Sequence, residues 1–193
     1  MWNHLRFVAV GLCLALAAAA PARAAIDLLV NDRLIEAAKV NDLRTAETIL
    51  ARNHNVDAMD ENRRTALILA AARGYEDLAD MLVRYRASVN AIDGFGNAAL
   101  YYAAAADNVG IIEILIDADA SIDIQNRRGM TPLMIAASEG HLAAVQTLLA
   151  AKADPDATDF TGRTARDWAR RNNRGAVLRI LDRASGTAGG QAG

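Results

Sequence analysis

The chain has 193 residues with 23 acidic and 21 basic side chains, a formal net charge of −2 that argues against a coat for nucleic acid or for an anionic membrane. Its length suits one domain, and its single cysteine, Cys13, excludes a disulfide within the chain. No second block of distinct composition remains in which a catalytic domain could sit.

The first segment is unlike the rest. Met1 to Arg6 carries His4 and Arg6, Phe7 to Ala20 is an unbroken apolar and small-residue run, and Ala22-Arg23-Ala24 has the A-x-A form of a cleavage site. A cleavable export signal is expected over residues 1–24, with cutting after Ala24. An uncleaved anchor is the bland alternative, but the apolar run is short against the roughly 20 residues that a membrane helix needs. Leu12 precedes Cys13 without the small-residue context of a lipid-anchored signal. Cleavage would remove Arg6, Arg23 and no acid, which moves the net charge from −2 to −4 and leaves no cysteine. A periplasmic or, alternatively, secreted protein fits this picture.

From there the chain repeats itself. Thr65-Ala66-Leu67, Ala98-Ala99-Leu100, Thr131-Pro132-Leu133 and Thr164-Ala165-Arg166 each begin 33 residues after the last. Asp60, Asp93, Asn126 and Asp159 stand five residues before these phrases; Ala70-Ala71, Ala103-Ala104 and Ala136-Ala137 follow them. Helix-stopping positions come next at Gly74, Asp107 and Gly140, and then second apolar runs end in Met81-Leu82-Val83, Ile114-Leu115-Ile116, Thr147-Leu148-Leu149 and Ile180-Leu181. Each unit therefore reads as a turn, a short helix capped by Thr or opened by Pro132, a break, and a second helix with a buried stripe. Two such helices cannot bury enough surface alone, whereas stacked pairs can.

The stretch Asn126 to Asp159, with Gly129, Thr131-Pro132-Leu133, Ala136-Ala137, Gly140-His141 and Leu148-Leu149, resembles an ankyrin repeat, and the match recurs in register. The resemblance implies an all-α solenoid of helix-turn-helix units joined by β-hairpin-like loops. Units are expected near 27–59, 60–92, 93–125, 126–158 and 159–185, within a domain spanning 25–185. The first is recognised only from its helices, Leu34 to Ala38 and Leu43 to Leu50. Glu36 and Lys39 in unit one, and Arg170 and Arg171 in unit five, mark these as capping repeats whose outer faces meet water. Residues 186–193 are expected to be a disordered tail.

Catalytic chemistry finds little support. His141 falls at the Gly-His step, where a structural hydrogen bond is expected, and His54 has no metal-ligand spacing around it. Asp117 with Asp119, and Asp154 with Asp156, read as turn residues. No nucleophile elbow, phosphate loop or zinc signature occurs, so no cofactor, no metal and no enzymatic activity are expected.

By the resemblance, hairpin tips and first helices form one concave binding surface for a protein partner. The tips would present Glu61, Asn62 and Arg64; Gly94, Phe95 and Asn97; Arg127, Arg128 and Met130; and Phe160, Thr161 and Arg163. The groove-facing helix positions would be Ala72-Arg73, Ala105-Ala106 and Ser138-Glu139. Phe95 and Phe160 either face solvent among the arginines, as interface anchors do, or fold back over their own hairpins. Unit three departs from the pattern: it lacks a threonine cap and carries Tyr101-Tyr102, of which Tyr101 is a further contact candidate. Arg63 replaces the turn glycine of unit two, which leaves open whether that hairpin keeps a positive φ. The expected function is a non-enzymatic, monomeric protein-interaction module of the cell envelope. A stress-protection factor that supports another enzyme, such as an oxidative-stress enzyme, and a secreted effector acting on a foreign protein are the alternatives.

Overall fold

A computed structural model describes residues 33–188 except Asn53, so the expected export signal and the last five residues of the tail lie outside the described residues. The described residues form ten helices in five pairs: α1 (residues 33–40) with α2 (Leu43–Leu50), α3 (Ala66–Arg73) with α4 (Glu76–Arg84), α5 (Ala99–Ala105) with α6 (Val109–Asp117), α7 (Pro132–Glu139) with α8 (Leu142–Ala150), and α9 (Ala165–Arg171) with α10 (Gly175–Ala188). β-bridge pairing among the described residues is confined to two isolated antiparallel bridges, Met59 with Thr65 and Ile92 with Ala98. The expected all-α repeat solenoid is what forms.

Capping and breaking follow the 33-residue period. Thr65, Thr131 and Thr164 each accept a hydrogen bond at the hydroxyl from the backbone N–H three residues on. Ala98 offers no such bond, and α5 forgoes about 1 kcal/mol of capping. Between the two helices of each pair the chain turns through a left-handed residue: Asn41, Gly74, Asp107, Gly140 and Asn173. Only glycine takes that conformation without strain, but Asn and Asp tolerate it better than other side chains.

The core is one continuous slab. Ala70, Ala71, Ala103, Ala104, Ala136, Ala137 and Ala169 are fully or almost fully buried, so first helices approach first helices closely. Leu78 and Leu82, Ile111 and Leu115, Val145 and Leu148, and Val177 and Leu181 fill the space between second helices. Each large side chain of this set contributes about 1.5–3 kcal/mol by leaving water. The strong contacts join α3 to α5, α5 to α7 and α7 to α9 on one layer, and α4 to α6, α6 to α8 and α8 to α10 on the other. Stability is therefore built from nearest neighbours.

Two details revise the sequence-based picture. The last helix continues to Ala188, so residues 186–188, expected in the tail, have helical backbone. No proline interrupts the segment after the buried Leu181, so the helical hydrogen bonds can continue. The second concerns Arg63, which keeps the left-handed turn with φ 62° in place of glycine. Its N–H donates to Asp60 O at 2.9 Å, while Asn62 N and Arg64 N, both at 2.9 Å, donate to Asp60 Oδ1. These bonds hold a conformation that arginine disfavours. Arg63→Gly should therefore raise stability by about 0.5–1 kcal/mol, the relief of strain less the added entropy of glycine in the unfolded chain, as a higher urea midpoint. An unchanged or lower midpoint would refute the strain.

Candidate functional site

The hairpins that carry the expected contact residues are built on one device. The Asp or Asn that opens each hairpin accepts two backbone N–H bonds at one side-chain oxygen: Asp93 Oδ1 from Phe95 (2.8 Å) and Asn97 (2.9 Å), Asn126 Oδ1 from Arg128 (2.8 Å) and Met130 (3.1 Å), Asp159 Oδ1 from Thr161 (2.8 Å) and Arg163 (3.0 Å). Backbone bonds close the same loop, for example Asp93 N to Asn97 O at 3.0 Å and Gly96 N to Asp93 O at 3.0 Å.

Successive tips are then tied to one another. Gly94 N donates to Asn62 O (2.9 Å), Arg127 N to Phe95 O (3.1 Å) and Phe160 N to Arg128 O (3.2 Å). Glycine is needed for this approach: a Cβ on Gly129 would lie 2.5 Å from Phe160 N and 2.7 Å from its Cδ1. Phe95, Arg127, Arg128 and Phe160 thus form one uninterrupted row. Phe95 is 69% exposed and Phe160 71%, so both rings face solvent and neither folds back into its own hairpin. Arg127 and Arg128 are exposed as well.

The last residue of each hairpin behaves differently, and here the expected contact set is corrected. Met130 is only 2% exposed and Asn97 8%, so neither is available to a partner. At this position the N–H and C=O are both spent on the opening Asp or Asn, which turns the side chain inward. Met130 joins the core. Arg64 is half-buried and bonded to Asp60 Oδ2 through Nε (2.9 Å) and Nη2 (2.8 Å). Arg163, at the same register, donates from Nη1 to Thr161 Oγ1 (2.8 Å) and lies 5.6 Å from the Trp168 ring centre. Ser138, placed in the groove by the sequence, is buried, and its Oγ accepts a bond from Asn172 Nδ2 at 2.6 Å.

Unit three contains a directed hydrogen-bond chain that crosses a repeat boundary. Asn126 Nδ2 donates to Asn97 Oδ1 (2.8 Å), Asn97 Nδ2 to Tyr102 Oη (3.2 Å), and Tyr102 Oη to Asp93 Oδ2 (2.6 Å). Every donor has an acceptor in one direction. Trp168 repeats the last step two units on, with Nε1 donating to Asp159 Oδ2 at 3.1 Å. Burial works against ionisation of Asp159, but the bonds from Thr161, Arg163 and Trp168 outweigh it and hold the carboxyl below the usual range. Trp168 escaped the sequence reading as a site residue. Its signal was available, because it stands two periods after Tyr102.

Tyr101 packs edge-on against Tyr102, with ring centres 5.8 Å apart and planes at 86°. Burial pushes its hydroxyl above the ordinary tyrosine value, and the charge of Arg128 on the next hairpin works the other way. Tyr101 is half-buried and packs against the core.

His141 Nε2 bonds Ala105 O at 3.0 Å, a structural link between units, and since a carbonyl only accepts, Nε2 carries the proton. Asp154 Oδ1 accepts from Asp156 N at 2.9 Å, a turn bond. Among the described residues no group of three His, Cys, Asp or Glu is gathered as metal ligands, and no helix is long and apolar enough to cross a membrane.

The family description "Ankyrin repeats (3 copies)" matches residues 34–126 and 105–187. No curated protein matches the chain significantly. Repeats of this family generally mediate protein–protein interaction and are typically non-enzymatic. With its five helix pairs, its period-locked hairpins and this match over most of its length, the chain belongs to the ankyrin-repeat family.

Proposed function

We propose that the chain is an exported, non-enzymatic ankyrin adaptor of the cell envelope that binds a protein partner through its hairpin tips and the adjoining first-helix face. The observation that supports this most is the tip row itself, in which two exposed phenyl rings flank two exposed guanidiniums on hairpins bonded to their neighbours. Aromatic and arginine side chains on a rigid support are the composition of interface hot spots, because the rings bring large contact area at small conformational cost and the guanidinium brings directed, charge-assisted bonds. Export rests on the apolar run Phe7 to Ala20 and on Ala22-Arg23-Ala24.

The test is capture of a partner from periplasmic extract by the purified protein, with cross-linking and mass spectrometry. Alanine at Phe95 and Phe160, or charge reversal at Arg127 and Arg128, should lower recovery of a specific partner about tenfold or more while circular dichroism stays unchanged. Equal recovery by all of these variants would remove the tip assignment. A partner absent from periplasmic extract and present only in host or competitor material would overturn residence in the envelope.

A further inference from the structure

Two exposed guanidiniums, Arg127 and Arg128, stand between two exposed phenyl rings on hairpins that are bonded to one another. Four arginines elsewhere are held by a carboxylate: Arg64 by Asp60, Arg84 by Asp80, Arg166 by Asp182, Arg170 by Asp167. Arg127 and Arg128 form no ion pair with any described residue, although the chain as a whole carries a net negative charge. The acids of the same hairpins do not neutralise them from the surface, because Asp93 and Asp159 are buried and committed to turn bonds. Further along, Arg163 and Arg171 both lie within 6 Å of the Trp168 ring, at 5.6 and 5.9 Å, which holds two more cations on one aromatic support.

We propose that the row Phe95, Arg127, Arg128 and Phe160 receives an acidic segment of a protein partner, in which carboxylates flank an apolar side chain. This rests on the tip-binding reading above and gives the partner its chemistry. Guanidinium recognises carboxylate through paired, charge-assisted bonds, and the phenyl rings at either end exclude water from those bonds once the segment is seated. Glu61, exposed on the hairpin next to that of Phe95, repels an acidic segment from that end of the row. A long polyanion such as DNA or an anionic bilayer would meet the net negative charge of the whole molecule, whereas a short segment meets only the local cations.

The experiment selects peptides from a random-sequence phage display library on the full chain, then measures synthetic versions of the enriched peptides by fluorescence anisotropy. Enriched peptides should carry Asp or Glu on both sides of an aromatic or aliphatic residue, and binding should weaken with added salt. Arg127→Glu should raise Kd about tenfold, and Arg127→Glu with Arg128→Glu about a hundredfold. Lysine at both positions should restore part of the affinity, while Arg52→Glu, on the second-helix side, should leave it unchanged. All of these side chains are exposed, so unaltered circular dichroism and urea midpoints are expected.

Neutral or basic consensus peptides, no enrichment at all, or acidic peptides that bind the double reversal equally well would each overturn the proposal. So would tighter binding to phosphatidylglycerol vesicles or to a DNA oligonucleotide than to the acidic peptides. Enriched peptides that need Phe95 and Phe160 but ignore the arginines would remove the acidic class and leave the tip surface standing. Peptides indifferent to both would remove both.

Discussion

Gly129→Ala is expected to lower the unfolding free energy by about 3 kcal/mol, against about 0.5–1 kcal/mol for Gly162→Ala. Both glycines are left-handed, with φ of 75° and 79°, so both substitutions bring the strain of an L side chain in that region. They differ in what the new methyl meets. At Gly162 there is nothing within 4 Å, whereas at Gly129 the methyl would stand 2.5 Å from the backbone nitrogen of Phe160. That nitrogen cannot move aside alone, because it donates to Arg128 O at 3.2 Å. The fifth hairpin must shift as a body, and the exposed ring of Phe160 shifts with it. Urea denaturation of the two variants side by side decides the matter, since equal midpoints would mean that the close approach of the tips contributes nothing.

The second large effect is at Asp93. Replacement by alanine should cost about 3 kcal/mol, because Phe95 N, the buried Asn97 N and the Tyr102 hydroxyl lose their acceptor together. Asp93→Asn should cost only about 1 kcal/mol: the side-chain carbonyl still accepts the two turn bonds, and only the Tyr102 hydroxyl proton loses its acceptor. The natural hairpin of unit four shows that an amide suffices for the turn, since Asn126 makes the same two bonds. Thermal or urea unfolding of both variants separates the two terms. Similar losses for alanine and asparagine would show that the turn bonds are not what Asp93 contributes.

The fold was legible because its signals recur. Thr65, Thr131 and Thr164, the alanine pairs and the breaks at Gly74 and Gly140 each have a local physical meaning, and repetition turned weak local meanings into one architecture. The binding surface was only half legible. Phe95, Phe160, Arg127 and Arg128 were found as tip residues and are exposed, but Arg64, Asn97, Met130 and Arg163 share one register that the hairpin bonds turn inward. Sequence spacing gives the register and not the direction of the Cα–Cβ bond. Direction depends on which backbone groups the opening Asp or Asn has taken. Ser138 shows the same limit across units, because its burial is caused by Asn172 of the next repeat, 34 residues away.

The directed chain from Asn126 through Asn97 and Tyr102 to Asp93 bears on how freely units of this protein could be shuffled. Repeat arrays grow and shrink by duplication and deletion, which succeeds when any unit can follow any other. Excision of unit four would bring Asp159 against Asn97, with a carboxylate facing an amide oxygen. Turning the Asn97 amide round would answer the carboxylate, but it would then present an oxygen to a Tyr102 hydroxyl whose only proton already belongs to Asp93. Units three and four are in that sense a single hereditary block, and the interchangeability that the 33-residue period suggests stops at their boundary.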